Sequence, residues 1–146
     1  MIISHKHKFI FIKTFKVSGT SMEIALSNFL GKNDIITPIN LEEEIIRYKK
    51  TGVLPKNYSS SKLEEKKYQN YIKKLAKKRL SKKSLNNLEK DKDHRFKKIV
   101  FFNHISGLKI KKLIDEKKWK NYFKFTIERN PYDKAISFMF FANRFK

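Results

Sequence analysis

The sequence predicts an α/β fold: a parallel sheet flanked by helices, with a lysine-rich helical excursion in the middle. Two observations predict it. Short apolar, β-favouring runs stand at 9–12, 99–102 and 123–127, and segments of helical period alternate with them. Near-continuous apolar strands separated by helices are the pattern of a parallel sheet covered on both faces.

The first unit organises the rest. Phe9, Ile10, Phe11 and Ile12 form the first run, and a polar stretch at 13–18 carries Lys13 and Lys16. Gly19-Thr20-Ser21 follows, after which Met22, Ile24, Ala25, Leu26, Phe29 and Leu30 recur every three or four residues. This reads as strand, tight loop and amphipathic helix. A glycine at such a turn lets the backbone approach an anion closely, and the first helical N–H groups point at it. Lysines beside the helix start add full charge to the dipole. Taken alone, the stretch is either a phosphate loop or an ordinary strand–helix turn with solvated lysines.

Composition narrows the classes. A chain of 146 residues is most simply one domain, and 40% hydrophobic with 14% aromatic residues is enough for a folded core. The net charge of +21 favours anionic partners: nucleic acid, anionic glycan, nucleotide or membrane surface. Abundant Lys, Asn, Ile, Phe and Tyr also follow from A/T-rich codons, and most of the charge is assigned to that bias. The absence of cysteine excludes disulfides, thiolate metal sites and a cysteine nucleophile. No apolar run approaches membrane-spanning length. Lys6 and Lys8 lead straight into the first strand without a signal-peptide core, so the expected location is cytoplasmic.

Residues 35–39 read as a short edge strand or an extended linker, because Pro38 argues against a central strand. Asn40 and Glu43 then form a helix-start pattern, with Glu42 and Glu44 at the positive end of the dipole and Lys49, Lys50 and Gly52 at the far end. Those electrostatics explain the glutamates without a metal or acid–base cluster. Ser61 and Glu64 open another helix, carried by Leu63, Tyr68, Tyr71, Ile72, Leu75, Ala76 and Leu80. Residues 81–94 are polar and lysine-rich, either a weaker second helix or the most mobile interior segment. The excursion reads as a solvated surface more than a nucleic-acid site, since no recognition pattern is present and lysine outnumbers arginine.

In the last third, the run 99–102 leads into Asn103-His104, and residues 105–118 read as one helix. Trp119 and Tyr122 precede the third run, which ends in Glu128-Arg129-Asn130-Pro131-Tyr132-Asp133. Asn130 suits a helix cap, Pro131 the first helical position and Asp133 the capping box. In open parallel sheets, ligands bind beyond the carboxyl ends of the strands. The polar clusters at 16–21, His104 and Arg129 are therefore expected to converge. A magnesium nucleoside-triphosphate loop wants lysine directly before Thr/Ser, but Lys16 lies three residues ahead of Gly19. Nor does the second run end in a carboxylate. The loop reads as a phosphate site without a metal. His104 is either a general base or a structural histidine.

Lys16-Val17-Ser18-Gly19-Thr20-Ser21 resembles the PKTAGTS loop of sulfotransferases that use 3′-phosphoadenosine 5′-phosphosulfate (PAPS), closest to the carbohydrate (Golgi-type and bacterial) branch. Residues 122–137, with Arg129-Asn130-Pro131-Tyr132-Asp133 and Ser137 eight residues after the arginine, resemble that family's second signature. Asn103-His104-Ile105-Ser106 resembles the acceptor-side segment between them. The resemblance covers both ends of the chain but not the lysine-rich middle. It implies a three-layer P-loop-like fold in one domain spanning 1–146, lacking the C-terminal part usual in the family. By the same resemblance, Lys16 would contact the 5′-phosphosulfate and steady the leaving oxygen. Ser18, Gly19, Thr20 and Ser21 would wrap that group, Arg129 and Ser137 would hold the 3′-phosphate, and His104 would be the base. The reaction implied is sulfuryl transfer to a hydroxyl, on a carbohydrate, with no metal. Phe15 and Val17 replace the family's proline and threonine, and Lys13 stands where this branch has histidine. The alternatives are a non-catalytic basic nucleic-acid-binding or interaction protein, and a nucleotide kinase-like protein.

Overall fold

A computed structural model describes residues 1–79, 81, 84, 85, 87, 88 and 98–142. Leu80 and most of 81–94 lie outside the described residues, and with them the expected mobility of that segment. The elements are β1 (Ile2–Ser4), β2 (Phe9–Phe11), α1 (Gly19–Ser27), β3 (Ile35–Ile36), α2 (Leu41–Thr51), α3 (Lys62–Ala76), α4 (Gly107–Leu113), α5 (Glu116–Asn121), β4 (Phe123–Phe125) and α6 (Pro131–Ala142). The fold is mixed α/β around a small four-stranded sheet of order β3-β1-β2-β4.

The sheet is mixed, not parallel. β1 pairs antiparallel with both β2 and β3, and only β2 and β4 run parallel. The expected strand at 99–102 is absent from it; Ile99 makes one isolated bridge to Ser59. The place beside β2 is taken by β1, a strand not anticipated from the sequence. A four-residue turn joins β1 to β2, so their pairing closes a far shorter loop than pairing with 99–102 would. The amides of Val100 and Phe101 instead both donate to the Tyr58 carbonyl, 2.9 Å each. Residues 105–118 form two helices: Ile114 is extended, and Asp115 caps α5 by accepting from the Lys118 amide.

Alternation along the strands divides the core. Ile3, Ile10 and Ile35 are in register on one face. They join Leu41 and Ile45 of α2, Tyr68, Ile72 and Leu75 of α3, and Ile110 of α4 in one buried cluster. Ile2, Phe11 and Ile36 alternate with them and are equally excluded from water.

Helix boundaries follow local chemistry. The Asn40 side chain accepts from the Glu43 amide at 2.8 Å, and Ser61 accepts from the Glu64 amide at 3.4 Å. α2 ends at Gly52, whose φ of +69° is left-handed, with open space where a Cβ would stand. In α1 the helix forms as the periodicity predicts, but its buried stripe is Gly19, Glu23 and Ser27 rather than the apolar set. The described residues include no helix long and apolar enough to cross a membrane.

Ile10 is fully buried on the central strand pair, so Ile10→Ala should lower the unfolding free energy by about 3 kcal/mol. Gly52→Ala should lower it by about 1 kcal/mol, from left-handed strain alone. Urea titrations read both; equal losses in the two variants would contradict this placing of the core.

Candidate functional site

Parallel pairing of β2 and β4 brings their carboxyl ends side by side. The pairing continues past the strands: the Ile12 amide donates to the Phe125 carbonyl at 2.9 Å, and Thr14 Oγ1 donates to the Ile127 carbonyl at 3.2 Å. The loop after β2 and the segment after β4 therefore leave the sheet together. A cleft of about 450 Å³ lies against them, lined by Lys16, Ser18, Gly19, Thr20, Ser21, His104, Arg129 and Ser137. These are all the residues singled out from the sequence, although His104 reaches the cleft on an irregular segment and not at a strand end. Lys13, Phe15, Asn40, Glu43 and Asn103 also line it. A smaller neighbouring cavity again has Lys16, Arg129 and Ser137 in its wall.

The loop is held in an unusual backbone shape. Lys16 and Ser18 have φ of 59° and 58°, left-handed values that cost non-glycine residues roughly 1–2 kcal/mol each. Ser18 precedes α1 without making a side-chain cap, and the first turn of the helix carries no acidic residue. The positive helix end thus faces the loop with no carboxylate in its own first turn, although Glu43 of α2 lines the same cleft. Gly19 is required by space: a Cβ there would stand 2.8 Å from Lys13 Cγ.

That contact involves a buried lysine whose partners no local sequence pattern reveals. Lys13 is only 5% exposed. Its ammonium donates to Thr20 Oγ1 at 2.7 Å and to Glu23 Oε2 at 2.8 Å. Glu23, fully buried, also pairs with the Met1 amino group. The available signal was modest: Glu23 is the first acidic residue in the chain and stands alone in an apolar-period helix. Burial lowers the Lys13 pKa from its ordinary 10.5 to about 8; Glu43 and Glu44 pull it upward, and Arg47 pushes it down. Arg47 is itself buried on α2, paired through Nη2 with Glu44 at 2.5 and 2.6 Å.

His104 lies flat on Phe15, with ring centroids 3.9 Å apart and planes at 8°. Burial pushes its pKa below the ordinary 6.5, and the Lys13 charge adds to that, while the Lys13 backbone works the other way. The imidazole is therefore mainly neutral at pH 7, the form able to accept a proton.

Arg129 is exposed, and among the described residues its guanidinium makes no ion pair. Glu128 turns instead to Lys134, at 2.9 Å, and to the Arg129 backbone amide, at 3.0 Å. Asn130 caps α6 by accepting from the Tyr132 amide at 3.0 Å. Ser137, half-buried, lies about two turns into that helix. Lys16 spans the gap to the same helix, its ammonium 4.6 Å from the Phe141 ring centroid. The arrangement offers two cations, a glycine-containing loop and a helix start on one side, and a neutral imidazole on another. It can hold an anion of more than one charged group next to a proton acceptor.

Two outcomes test this electrostatic picture. In an NMR titration the His104 midpoint should lie below 6.5, and Lys13→Met should move it upward by removing a nearby positive charge. An unmoved midpoint would separate the two residues. Linkage gives the second. Below pH 8 Lys13 is protonated in both folded and unfolded chains. Between about 8 and 10.5 the folded state gives up that proton first, so the contribution of Lys13 to stability rises with pH. Unfolding curves of wild type minus Lys13→Met should show a difference growing across that window; a flat difference would contradict the depressed pKa.

No family model matches this sequence, and no curated protein or solved structure matches it significantly.

Proposed function

We propose that the cleft binds PAPS and that the protein transfers its sulfuryl group to a hydroxyl acceptor without a metal. One observation carries this reading. Lys16 with the 18–21 loop, and Arg129 with Ser137, line the same cleft, as two separate phosphate-holding sets must if they serve one nucleotide. The residues present suit the donor. Arg129 has no carboxylate partner among the described residues, and a guanidinium fork matches phosphate oxygens bidentately. On this reading the β2–α1 and β4–α6 units are the two phosphate-holding units of a P-loop-like fold.

When bound, PAPS supplies an activated sulfuryl group on its 5′-phosphate. Lys16 places a positive charge where negative charge develops on the leaving oxygen. Backbone and hydroxyl donors of Ser18, Gly19, Thr20 and Ser21 orient the 5′ end, while Arg129 and Ser137 fix the 3′ end. His104 accepts the proton of the acceptor hydroxyl. Lys13 holds Thr20 in place, and its charge adds to the burial that keeps His104 neutral. Positioning and charge stabilisation account for the rate enhancement.

Isothermal titration with adenosine 3′,5′-bisphosphate in the presence of a chelator tests the reading. Binding should persist without magnesium. Arg129→Ala should weaken the bisphosphate by about 2 kcal/mol and leave 5′-AMP almost unchanged. Equal weakening of both ligands would mean that Arg129 supplies only general field. Lys16→Ala should lower the turnover rate much more than it weakens nucleotide binding. Undiminished turnover would remove Lys16 from the mechanism.

A further inference from the structure

A second cavity, of about 360 Å³, opens beside the cleft and is walled by Pro38, Ile39, Ile99, Phe101 and Phe102. Asn40 and Asn103 complete its lining and also line the cleft, so the two spaces meet at these amides. No charged side chain lines the second cavity, although the chain as a whole carries +21. The lining offers an anionic glycan no cation; the Lys109 ammonium stands outside it, 5.6 Å from the Phe102 ring centroid. A neutral sugar fares little better, because each hydroxyl taken from water into an apolar wall needs a replacement partner. Asn40 Oδ1 is already committed to the Glu43 amide. Asn103 Oδ1 is buried without a partner, which leaves one open acceptor between the two amide oxygens, too few for a sugar. A flat apolar ring bearing one hydroxyl loses least: its faces meet Phe102, Ile39 and Pro38, and its single polar atom emerges toward the amides. The size falls in the range of small-molecule pockets.

We propose that this slot is the acceptor subsite and that it takes a neutral aryl alcohol, a phenol, rather than the carbohydrate expected from the sequence resemblance. This rests on the sulfuryl-transfer reading of the adjoining cleft. In the step, the phenol oxygen forms a bond to sulfur, and the bond from sulfur to the 5′-phosphate oxygen breaks. The phenolic proton passes to His104, and adenosine 3′,5′-bisphosphate leaves with the electron pair. His104 and Asn103 both line the cleft, and Asn103 lines the slot as well, so the base stands on the cleft side of their junction. A phenolic hydroxyl, with an ordinary pKa near 10, gives its proton to a weakly basic imidazole more readily than an alkyl hydroxyl does.

The test is a ¹⁹F NMR titration of 4-fluorophenol with the protein saturated in adenosine 3′,5′-bisphosphate, and methyl glucoside as competitor. The phenol should bind, and methyl glucoside at equal concentration should not displace it. Phe102→Ala should weaken phenol binding at least fivefold while bisphosphate affinity changes less than twofold. Phe102 is 39% exposed, so truncation spares the core. Phe102→Leu keeps an apolar side chain, removes the ring and should weaken the phenol in the same direction. Displacement by the sugar, or phenol affinity unchanged in both variants, overturns the slot assignment. Phenol binding that depends on Phe102, in a protein that does not bind the bisphosphate at all, overturns the transfer reading and the acceptor role with it.

Discussion

The candidate site depends on a lysine held under its loop. Lys13 follows β2, and its stem packs where a side chain on Gly19 would otherwise stand. Its ammonium ties Thr20 and Glu23 of α1 to the end of the sheet. Buried charge is expensive to maintain, and such pairs are weak evidence of stability in themselves. What this one provides is geometry. It ties the start of α1 to the end of β2 across the loop that carries the left-handed residues Lys16 and Ser18. The same charge reaches across the cleft and helps keep His104 neutral. Buried cations outnumber buried carboxylates nearby: Lys13, Arg47 and the Met1 amino group face Glu23 and Glu44. Burial, with mutual repulsion among the cations, is why the Met1 amino group and Lys13 both titrate below their ordinary values.

The second constraint is the parallel pair. An antiparallel β4 would send its carboxyl end, with Arg129, to the opposite end of the sheet from that of β2. Because β2 and β4 run together, one cation arrives from each strand at the same cleft. The remaining strands need no such direction, and β1 joins by the nearest hairpin. Buried apolar side chains fill both faces of the sheet, and Ile3 and Ile10 pack with α2 and α3. The site can therefore sit on loops and on α6, which has no buried residue of its own.

How much was legible in the sequence follows from how local each cause is. Caps at Asn40, Ser61 and Asn130 depend on residues two or three positions away, and all were readable. So were Lys16, the 18–21 loop and Arg129, which follow β2 and β4, whereas His104 reaches the cleft on an irregular segment and Lys13, Asn40 and Glu43 line it without having been read as site residues. The parallel sheet was not readable as built. Ile2–Ser4 is three residues long, too short for a periodic signal, and the apolar run 99–102 serves the core through Phe101 without joining the sheet. The role of Lys13 was hidden for a different reason. Its partner Glu23 turns inward on a helix whose apolar residues suggested another buried face, and only the three-dimensional contact reveals which face wins.

On the proposed function, the 16–21 loop and the Arg129–Ser137 pair are two walls of one nucleotide site. Backbone amide NMR during addition of adenosine 3′,5′-bisphosphate, without magnesium, tests this most directly. Ser18, Gly19, Thr20 and Ser21 should shift together with Arg129 and Ser137, all saturating at one common ligand concentration. Shifts confined to the exposed lysines of α3, or saturating separately for the two walls, would contradict it.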